Sequence, residues 1–282
     1  MILFKNAAEL DRYLTEKRHE GISTGFVPTM GALHEGHISL IRESRARCGL
    51  TISSIFVNPT QFNDSKDFAK YPITIEKDID GLEGAGCDVL FMPSIDEVYP
   101  NGTTDLPTYD LGYLETVLEG KFRPGHFQGV CQVVDRLLSM VKPHYLFLGQ
   151  KDYQQCMVIK KLVELTEGET TIIICPTLRE KEGLAMSSRN MRLNTEEKEK
   201  ALCIYNTLAF LKQELKPGYL EDLKERAVQY LTTEGFRVDY VEITDANDLD
   251  LLQNWNGSTP TVALIAAFLG EVRLIDNMLL NV

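Results

Sequence analysis

The feature that most constrains the fold of this chain is its regular alternation of β-rich runs with amphipathic helical segments. Segments with helical periodicity lie at 37–48, 73–86, 130–141 and 151–168. They separate strand-like runs at 23–29, 50–57, 87–93, 143–149 and 170–176. This rhythm is typical of βαβ units, which build a parallel sheet with helices on both faces. We therefore predict an α/β fold that binds its ligand at the carboxyl ends of the strands, near the point where strand order reverses.

The alternation stops after Pro176. A long helix is predicted over 194–215, because Asn194 is a plausible N-cap with Glu197 three residues on, which together make a capping box. A second helix is predicted over 220–235 and ends in a glycine. Helices that follow one another in this way indicate a different kind of domain.

Two strand-like runs complete the chain, at 236–246 and 260–278, with a turn expected at Gly270. Helices followed by strands are typical of a small α+β domain. We therefore predict two domains: a larger one over residues 1–176 and a smaller α+β domain over residues 177–282.

The composition of the chain excludes several classes of function. The chain has 282 residues and a net charge of −12, which disfavours non-specific nucleic-acid binding because that needs a basic surface. No apolar run is long enough to span a bilayer, and the first residues lack a signal-peptide layout. The six cysteines are scattered without a C-x-x-C pair, which favours thiols in a reducing cytoplasm over a zinc or redox motif.

The stretch "TMGALHEGH" at 29–37 is the strongest chemical signal. A strand is expected to end there and a helix to begin, and a helix N-terminus attracts phosphate. His34 and His37 flank Gly36 and can face one ligand, while the glycine lets that ligand approach the backbone. Histidines that merely cap and pack are the structural alternative. A zinc site is disfavoured because no cysteine or third histidine stands nearby.

Two further clusters carry phosphate-directed groups. "GQKDYQQ" at 149–155 places Lys151 at a second strand-to-helix crossover, where it can neutralise a phosphate. "GLAMSSRN" at 183–190 supplies two hydroxyls and an arginine at the domain boundary. An exposed Lys–Asp pair and a hydrophilic linker turn are the respective structural alternatives.

Two more clusters carry neutral or mixed polar groups. "FVNPTQF" at 56–62 offers Asn58 and Gln61 to a small polar substrate, and "KFRPGHFQGV" at 121–130 offers Arg123 and His126. Either cluster could equally be structural.

Together the stretches "PTMGALHEGH", "FVNPTQF", "RPGHFQGV", "GQKDYQQ" and "GLAMSSRN" resemble the pantoate–beta-alanine ligase family of the H-x-G-H nucleotidylyltransferase superfamily. The resemblance covers nearly the whole chain in the same order. It implies a Rossmann-like larger domain and a smaller domain that closes over ATP. It also implies an enzyme that makes pantothenate from pantoate, beta-alanine and ATP through a pantoyl adenylate, releasing AMP and pyrophosphate.

The resemblance also implies roles for individual residues. His37, His34 and Lys151 would be the catalytic residues, with His37 the proton donor. The predicted ATP contacts are Met30, Gly31, Ala32, Leu33, His34, Glu35, Gly36, His37, Gly149, Gln150, Lys151, Asp152, Leu178, Met186, Ser187, Ser188 and Arg189. The predicted substrate contacts are Gln61, Gln155, Asn58 and Arg123.

The remaining expectations follow from the same resemblance. Mg²⁺ would accompany ATP, with Asp78 as the matching metal-linked carboxylate, and the enzyme would be a cytoplasmic homodimer. Thr60 and Gln150 depart from the family's usual leucine and glutamate. The alternatives are an adenylyltransferase that leaves AMP on its product, which analysis of the nucleotide product would distinguish, and a non-catalytic nucleotide-binding protein. The latter is disfavoured because His34, His37, Lys151 and Arg189 are all present.

Overall fold

The structure is a computed structural model that describes residues 1–61 and 72–281. Its contacts divide the chain into two compact units. The first comprises residues 1–149 and 158–176, and the second comprises 150–157 and 177–282. Residues 150–157, which the sequence placed in the larger domain, thus group with the second unit.

A six-stranded parallel sheet forms the first unit, and its strand order is β1-β4-β3-β2-β5-β6. The strands are β1 (Ile2–Phe4), β2 (Thr24–Thr29), β3 (Leu50–Ile55), β4 (Val89–Phe91), β5 (Tyr145–Gly149) and β6 (Thr171–Cys175). The parallel sheet expected from the alternating pattern is therefore confirmed. The order reverses between β2 and β5, so the switch point lies where Thr29 and Gly149 end their strands.

Helices connect these strands. They are α1 (Ala7–His19), α2 (Glu35–Arg47), α3 (Ile75–Gly84), α4 (Ile95–Val98), α5 (Leu118–Phe122), α6 (His126–Val141) and α7 (Tyr153–Leu165). Part of the loop expected after β3 lies outside the described residues. A core cluster joins Val27 and Ile55 on the sheet to Ile41 of α2 and Leu82 of α3. This packing holds the N-terminus of α2 beside the end of β2.

The second unit is α+β, as the sequence predicts. Its main sheet has the antiparallel order β11-β10-β8, and a short pair joins β7 to β9. The elements are α8 (Thr195–Glu214), β7 (Gly218–Tyr219), α9 (Glu221–Thr233), β8 (Arg237–Asp245), β9 (Asn254–Trp255), β10 (Thr261–Leu269) and β11 (Val272–Leu279). The expected capping box forms between Asn194 and Glu197, and β10 turns into β11 at Gly270.

Candidate active site

The turn between β2 and α2 is built on two successive left-handed residues. Gly31 has φ 83° and Ala32 has φ 50°. This region suits glycine, but for a residue with a side chain it is strained, so the surroundings must hold the turn in place.

A buried carboxylate supplies that support. Asp78, in the first turn of α3, is 1% exposed. Its Oδ2 accepts the N–H of Ala32 at 2.9 Å, and its Oδ1 accepts the N–H of Leu33 at 2.8 Å. The hydroxyl of Thr74 donates to Oδ1 at 3.0 Å. Asp78 thus fixes the backbone of the turn through charge-assisted hydrogen bonds, which are the stronger kind.

His34 and His37 form a capping box at the start of α2. The Nδ1 atom of His34 accepts the N–H of Gly36 at 3.1 Å, and that of His37 accepts the N–H of His34 at 3.4 Å. The two ring centroids are 4.1 Å apart. A neutral imidazole that accepts at Nδ1 carries its proton on Nε2. Both rings therefore carry Nε2–H donors at a helix N-terminus, where the dipole also favours an anion.

The loop after β3 is tied to the same turn. The side-chain nitrogen of Gln61 donates to the sulfur of Met30 at 2.9 Å. The amide of Asn58, which is 1% exposed, donates to the carbonyl of Gly129 at 3.1 Å and to Oε1 of Gln61 at 3.3 Å. The hydroxyl of Tyr99 donates to Oδ1 of Asn58 at 2.9 Å. Asn58 is thus enclosed by protein and orients the amide of Gln61.

Arg123, which caps the end of α5, contacts His126, the first residue of α6, and His126 contacts Gln61. An arginine can only donate, so the 3.0 Å contact makes Nε2 of His126 the acceptor. Nδ1 of His126 then carries the proton and donates to the carbonyl of Gln61 at 2.9 Å. The structure therefore links Asn58, Gln61 and Arg123, which the sequence had singled out in separate clusters.

Apart from Gly149 at the end of β5, the other predicted ATP contacts lie in the second unit, as does the predicted pantoate contact Gln155. Lys151 lies in a short 3₁₀ turn, Gln150–Asp152, with its Nζ 3.6 Å from Oδ1 of Asp152, and Gln155 lies half-buried on α7. Leu178 accepts the N–H of Met186 at 3.0 Å, which closes a hairpin. Ser187 caps the 3₁₀ helix Ser188–Arg192 by accepting the N–H of Arg189 at 3.2 Å.

Sequence reasoning passed over several residues that organise these segments. Tyr99 holds Asn58, and Thr29 accepts the N–H of Gly31 at 3.2 Å. Burial raises the pKa of Tyr99, so its hydroxyl stays protonated as a donor at neutral pH. A tyrosine far from any recognised motif gave no sequence signal. Asp276 and Asn277 did give one, because two adjacent polar residues interrupt the apolar strand "VRLIDNML".

A parallel sheet with a polar, histidine-bearing turn at its switch point defines a doubly wound α/β protein, a class that binds ligands at that edge of the sheet. Comparison with known proteins identifies the family. A family model for pantoate-beta-alanine ligase matches residues 2–279. The chain belongs to the pantoate-beta-alanine ligase family, and it is therefore a ligase of pantothenate biosynthesis.

Individual relatives agree with this assignment. Pantothenate synthetase from Porphyromonas gingivalis is 45% identical over 99% of both chains, and that from Bacteroides fragilis is 44% identical over 96% of this chain and 95% of its own. The crystal structure of pantothenate synthetase from Thermus thermophilus superposes with a TM-score of 0.90 at 36% identity, covering 99% of each chain. Pantoate-beta-alanine ligase from Francisella tularensis, solved with beta-gamma ATP and beta-alanine, has a TM-score of 0.82 at 39% identity and covers 100% of this chain and 98% of its own.

Proposed function

We propose that this ATP-dependent ligase makes pantothenate in two steps, through a pantoyl adenylate. First, a carboxylate oxygen of pantoate attacks the α-phosphorus of ATP, the bond to the bridging oxygen breaks, and pyrophosphate leaves. Second, the amine of beta-alanine attacks the acyl carbon, AMP leaves with the electrons of the broken bond, and the amine loses a proton. The family assignment supports the overall reaction, and the pair of histidines at the start of α2 supports the first step.

Both reactants of that step are anions, so the site must offset their repulsion and stabilise charge that spreads over the phosphate oxygens. Preorganised donors do this best because they need no rearrangement during the reaction. The Nε2–H groups of His34 and His37 are such donors, since the backbone holds both rings at Nδ1. His37 is assigned the larger role in the transition state, where its Nε2–H donates a hydrogen bond to the developing charge.

The other ATP contacts are Gly149, at the end of β5, and residues of the second unit. Lys151 neutralises a phosphate as a point charge, and Gly149, Gln150 and Asp152 flank it. The hydroxyls of Ser187 and Ser188 and the guanidinium of Arg189 donate to the polyphosphate, while the backbone of Leu178 contacts the adenine and Met186 is a further ATP contact. This role is supported by the partial exposure of the segment: four residues are half-buried and so remain accessible to a ligand, namely Met186, Ser187, Ser188 and Arg189.

Gln61 and Gln155 bind pantoate in this proposal, and Gln61 also contacts the incoming beta-alanine. Asn58 and Arg123, expected to be substrate contacts, act at least in part through Gln61. The bond from Asn58 to Oε1 of Gln61 and the chain from Arg123 through His126 to its carbonyl support that role.

Mg²⁺ accompanies ATP and, when bound, neutralises charge on the phosphates. The described residues hold no group of three His, Cys, Asp or Glu side chains suited to a metal. Asp78 already accepts three hydrogen bonds. These three hydrogen bonds suit a residue that supports the turn more than they suit a metal ligand. No step is therefore assigned to a metal on Asp78. Mg²⁺ commonly binds through phosphates and water with few protein ligands.

Assembly and location belong to the same proposal. The family resemblance supports a homodimer, which light scattering on the purified chain would test. All six cysteines lie in the described parts, and none is in a disulfide, which supports a reducing cytoplasm. Within residues 1–61 and 72–281, no helix combines the length and apolar character needed to cross a membrane.

The test is pyrophosphate exchange. With ATP and pantoate but no beta-alanine, the enzyme should incorporate labelled pyrophosphate into ATP, and omission of pantoate should abolish the exchange. Ligation without any exchange would count against a reversible adenylate. An adenylylated product in place of AMP would establish the adenylyltransferase alternative.

A further inference from the structure

Asn277, on the last strand of the second unit, contacts the backbone on both sides of Lys151. Its Nδ2 donates to the carbonyl of Gln150 at 2.9 Å and to the carbonyl of Lys151 at 2.8 Å. Its Oδ1 accepts from Nε2 of Gln150 at 3.1 Å. Because two carbonyl oxygens face one atom, that atom must be the amide nitrogen. The side chain is 2% exposed, so water does not compete for these bonds.

These bonds fix the direction in which one side chain leaves the backbone. The carbonyl of Gln150 belongs to the peptide plane before the Cα of Lys151, and the carbonyl of Lys151 belongs to the plane after it. Each peptide unit is rigid, so holding both planes sets the backbone dihedrals of Lys151 and hence its Cα–Cβ vector. A further bond, from the hydroxyl of Tyr153 to the carbonyl of Ala246 at 2.7 Å, holds the same segment two residues further on.

The neighbouring residue on β11 holds another segment. Arg179 donates to Asp276 with both terminal nitrogens, at 2.6 and 3.0 Å, and Asp276 is 5% exposed. Arg179 also donates to the carbonyls of Gly183 and Asn277, at 3.0 and 3.1 Å. It thereby fixes the hairpin that joins Leu178 to Met186. One dipeptide of β11 therefore supports both segments of this unit that are assigned to ATP.

We propose that Asn277 is a positioning residue for adenylate formation, which acts by aiming Lys151 at the phosphates of ATP. Asp276 acts in the same way on the 178–186 hairpin, through Arg179. This inference rests on the proposed role of Lys151. Positioning matters at this level because a misplacement of about 1 Å can lower a rate about 10²-fold.

The test compares pantoate-dependent pyrophosphate exchange in wild type, Asn277→Ala, Lys151→Met and the double variant. Asn277→Ala should lower exchange about 10–100-fold, through kcat or the KM for ATP, with little change in the KM for pantoate. In the Lys151→Met background, the same substitution should lower exchange by no more than about twofold, because residues that act through one another are not additive. Asn277→Leu keeps a similar shape and loses the donor without burying a charge, so it serves if the alanine variant fails to fold.

Asn281 provides a matched control in the same unit. It also makes three side-chain hydrogen bonds, accepting from the backbone and hydroxyl of Thr261 and donating to the carbonyl of Thr259. Asn281→Ala should lower the melting temperature and leave exchange within about twofold of wild type.

Three results would overturn the inference. The first is a rate of pyrophosphate exchange in the Asn277 variants that equals the wild-type rate. The second is an equal loss with and without Lys151, which would mark a merely structural residue. The third is full exchange in Lys151→Met, which would also remove Lys151 from the proposed function. If exchange falls in Lys151→Met but not in the Asn277 variants, the positioning role of Asn277 is rejected and the proposed role of Lys151 stands.

Discussion

Replacing Asp78 with asparagine tests the support of the histidine-bearing turn. Asparagine has the same shape but only one acceptor oxygen. Its best orientation keeps that oxygen at the Oδ1 position, where it still accepts from Leu33 and Thr74. The NH₂ group then faces the N–H of Ala32, which loses its partner at Oδ2.

The magnitude follows from these contacts. A buried N–H left without an acceptor costs about 1–3 kcal/mol, and the bond to Leu33 weakens because its acceptor is no longer charged. Ala32 must still hold its left-handed backbone, a conformation that costs about 1–3 kcal/mol and persists only where the surroundings enforce it. If the native conformation of the turn is destabilised by about 2 kcal/mol, the rate of pyrophosphate exchange at low ATP should fall roughly 30-fold, since about 1.4 kcal/mol is a factor of ten.

Pyrophosphate exchange should be measured over a range of Mg²⁺ concentrations. Asp78→Asn should lower the rate at every concentration and leave the Mg²⁺ midpoint unchanged. Asp80 supplies the control, because it lies exposed on the same helix and its replacement by asparagine removes the same charge. Asp80→Asn should behave as wild type. A raised Mg²⁺ midpoint with full recovery at saturation would instead make Asp78 a metal ligand, and the role assigned to its hydrogen bonds would be wrong.

Three further predictions concern chemistry, ATP binding and pH. His37→Asn should slow adenylate formation in single turnovers about 10²–10³-fold, whereas Gln155→Ala should chiefly raise the KM for pantoate; an effect of His37→Asn on pantoate affinity alone would contradict its role. ATP should slow amide hydrogen exchange over residues 186–190, and equal rates with and without ATP would exclude that segment from the site. Burial raises the pKa of Cys87 and Cys131 from 9.0 to about 12. The folded state thus keeps protons that the unfolded state loses, so stability should hold up to about pH 9 and fall as pH approaches 12. Urea unfolding between pH 8 and 11 measures this, and stability that rises over that range would contradict it.

The sequence predicted the sheet because hydrophobic periodicity is a local property. The runs that became β2, β3, β4, β5 and β6 were all identified, and so were both helices of the second unit. The short strand β1 and helix α1 were not singled out. The run that became β1 is only three residues long, too short to show a period.

The candidate site was predictable only in part. Motifs located the residues that carry chemistry, but not the bonds that hold them. Asp78 meets the turn across 45 residues of chain, and Asn277 meets Lys151 across 126. Such pairs arise from tertiary packing, which no local pattern records. For the same reason, the sequence predicts Asn58 as a substrate contact but gives no sign that its amide donates to the carbonyl of Gly129.

The central claim is that pantoate is activated as an acyl adenylate, and oxygen transfer tests it most directly. Pantoate labelled with ¹⁸O in its carboxylate should be supplied with ATP and beta-alanine, and the nucleotide products analysed by mass spectrometry. If a carboxylate oxygen attacks the α-phosphorus and AMP later departs from the acyl carbon, one ¹⁸O atom must appear in AMP for each pantothenate formed. Label in pyrophosphate or inorganic phosphate, with none in AMP, would mean that attack occurs at another phosphorus and would contradict the mechanism.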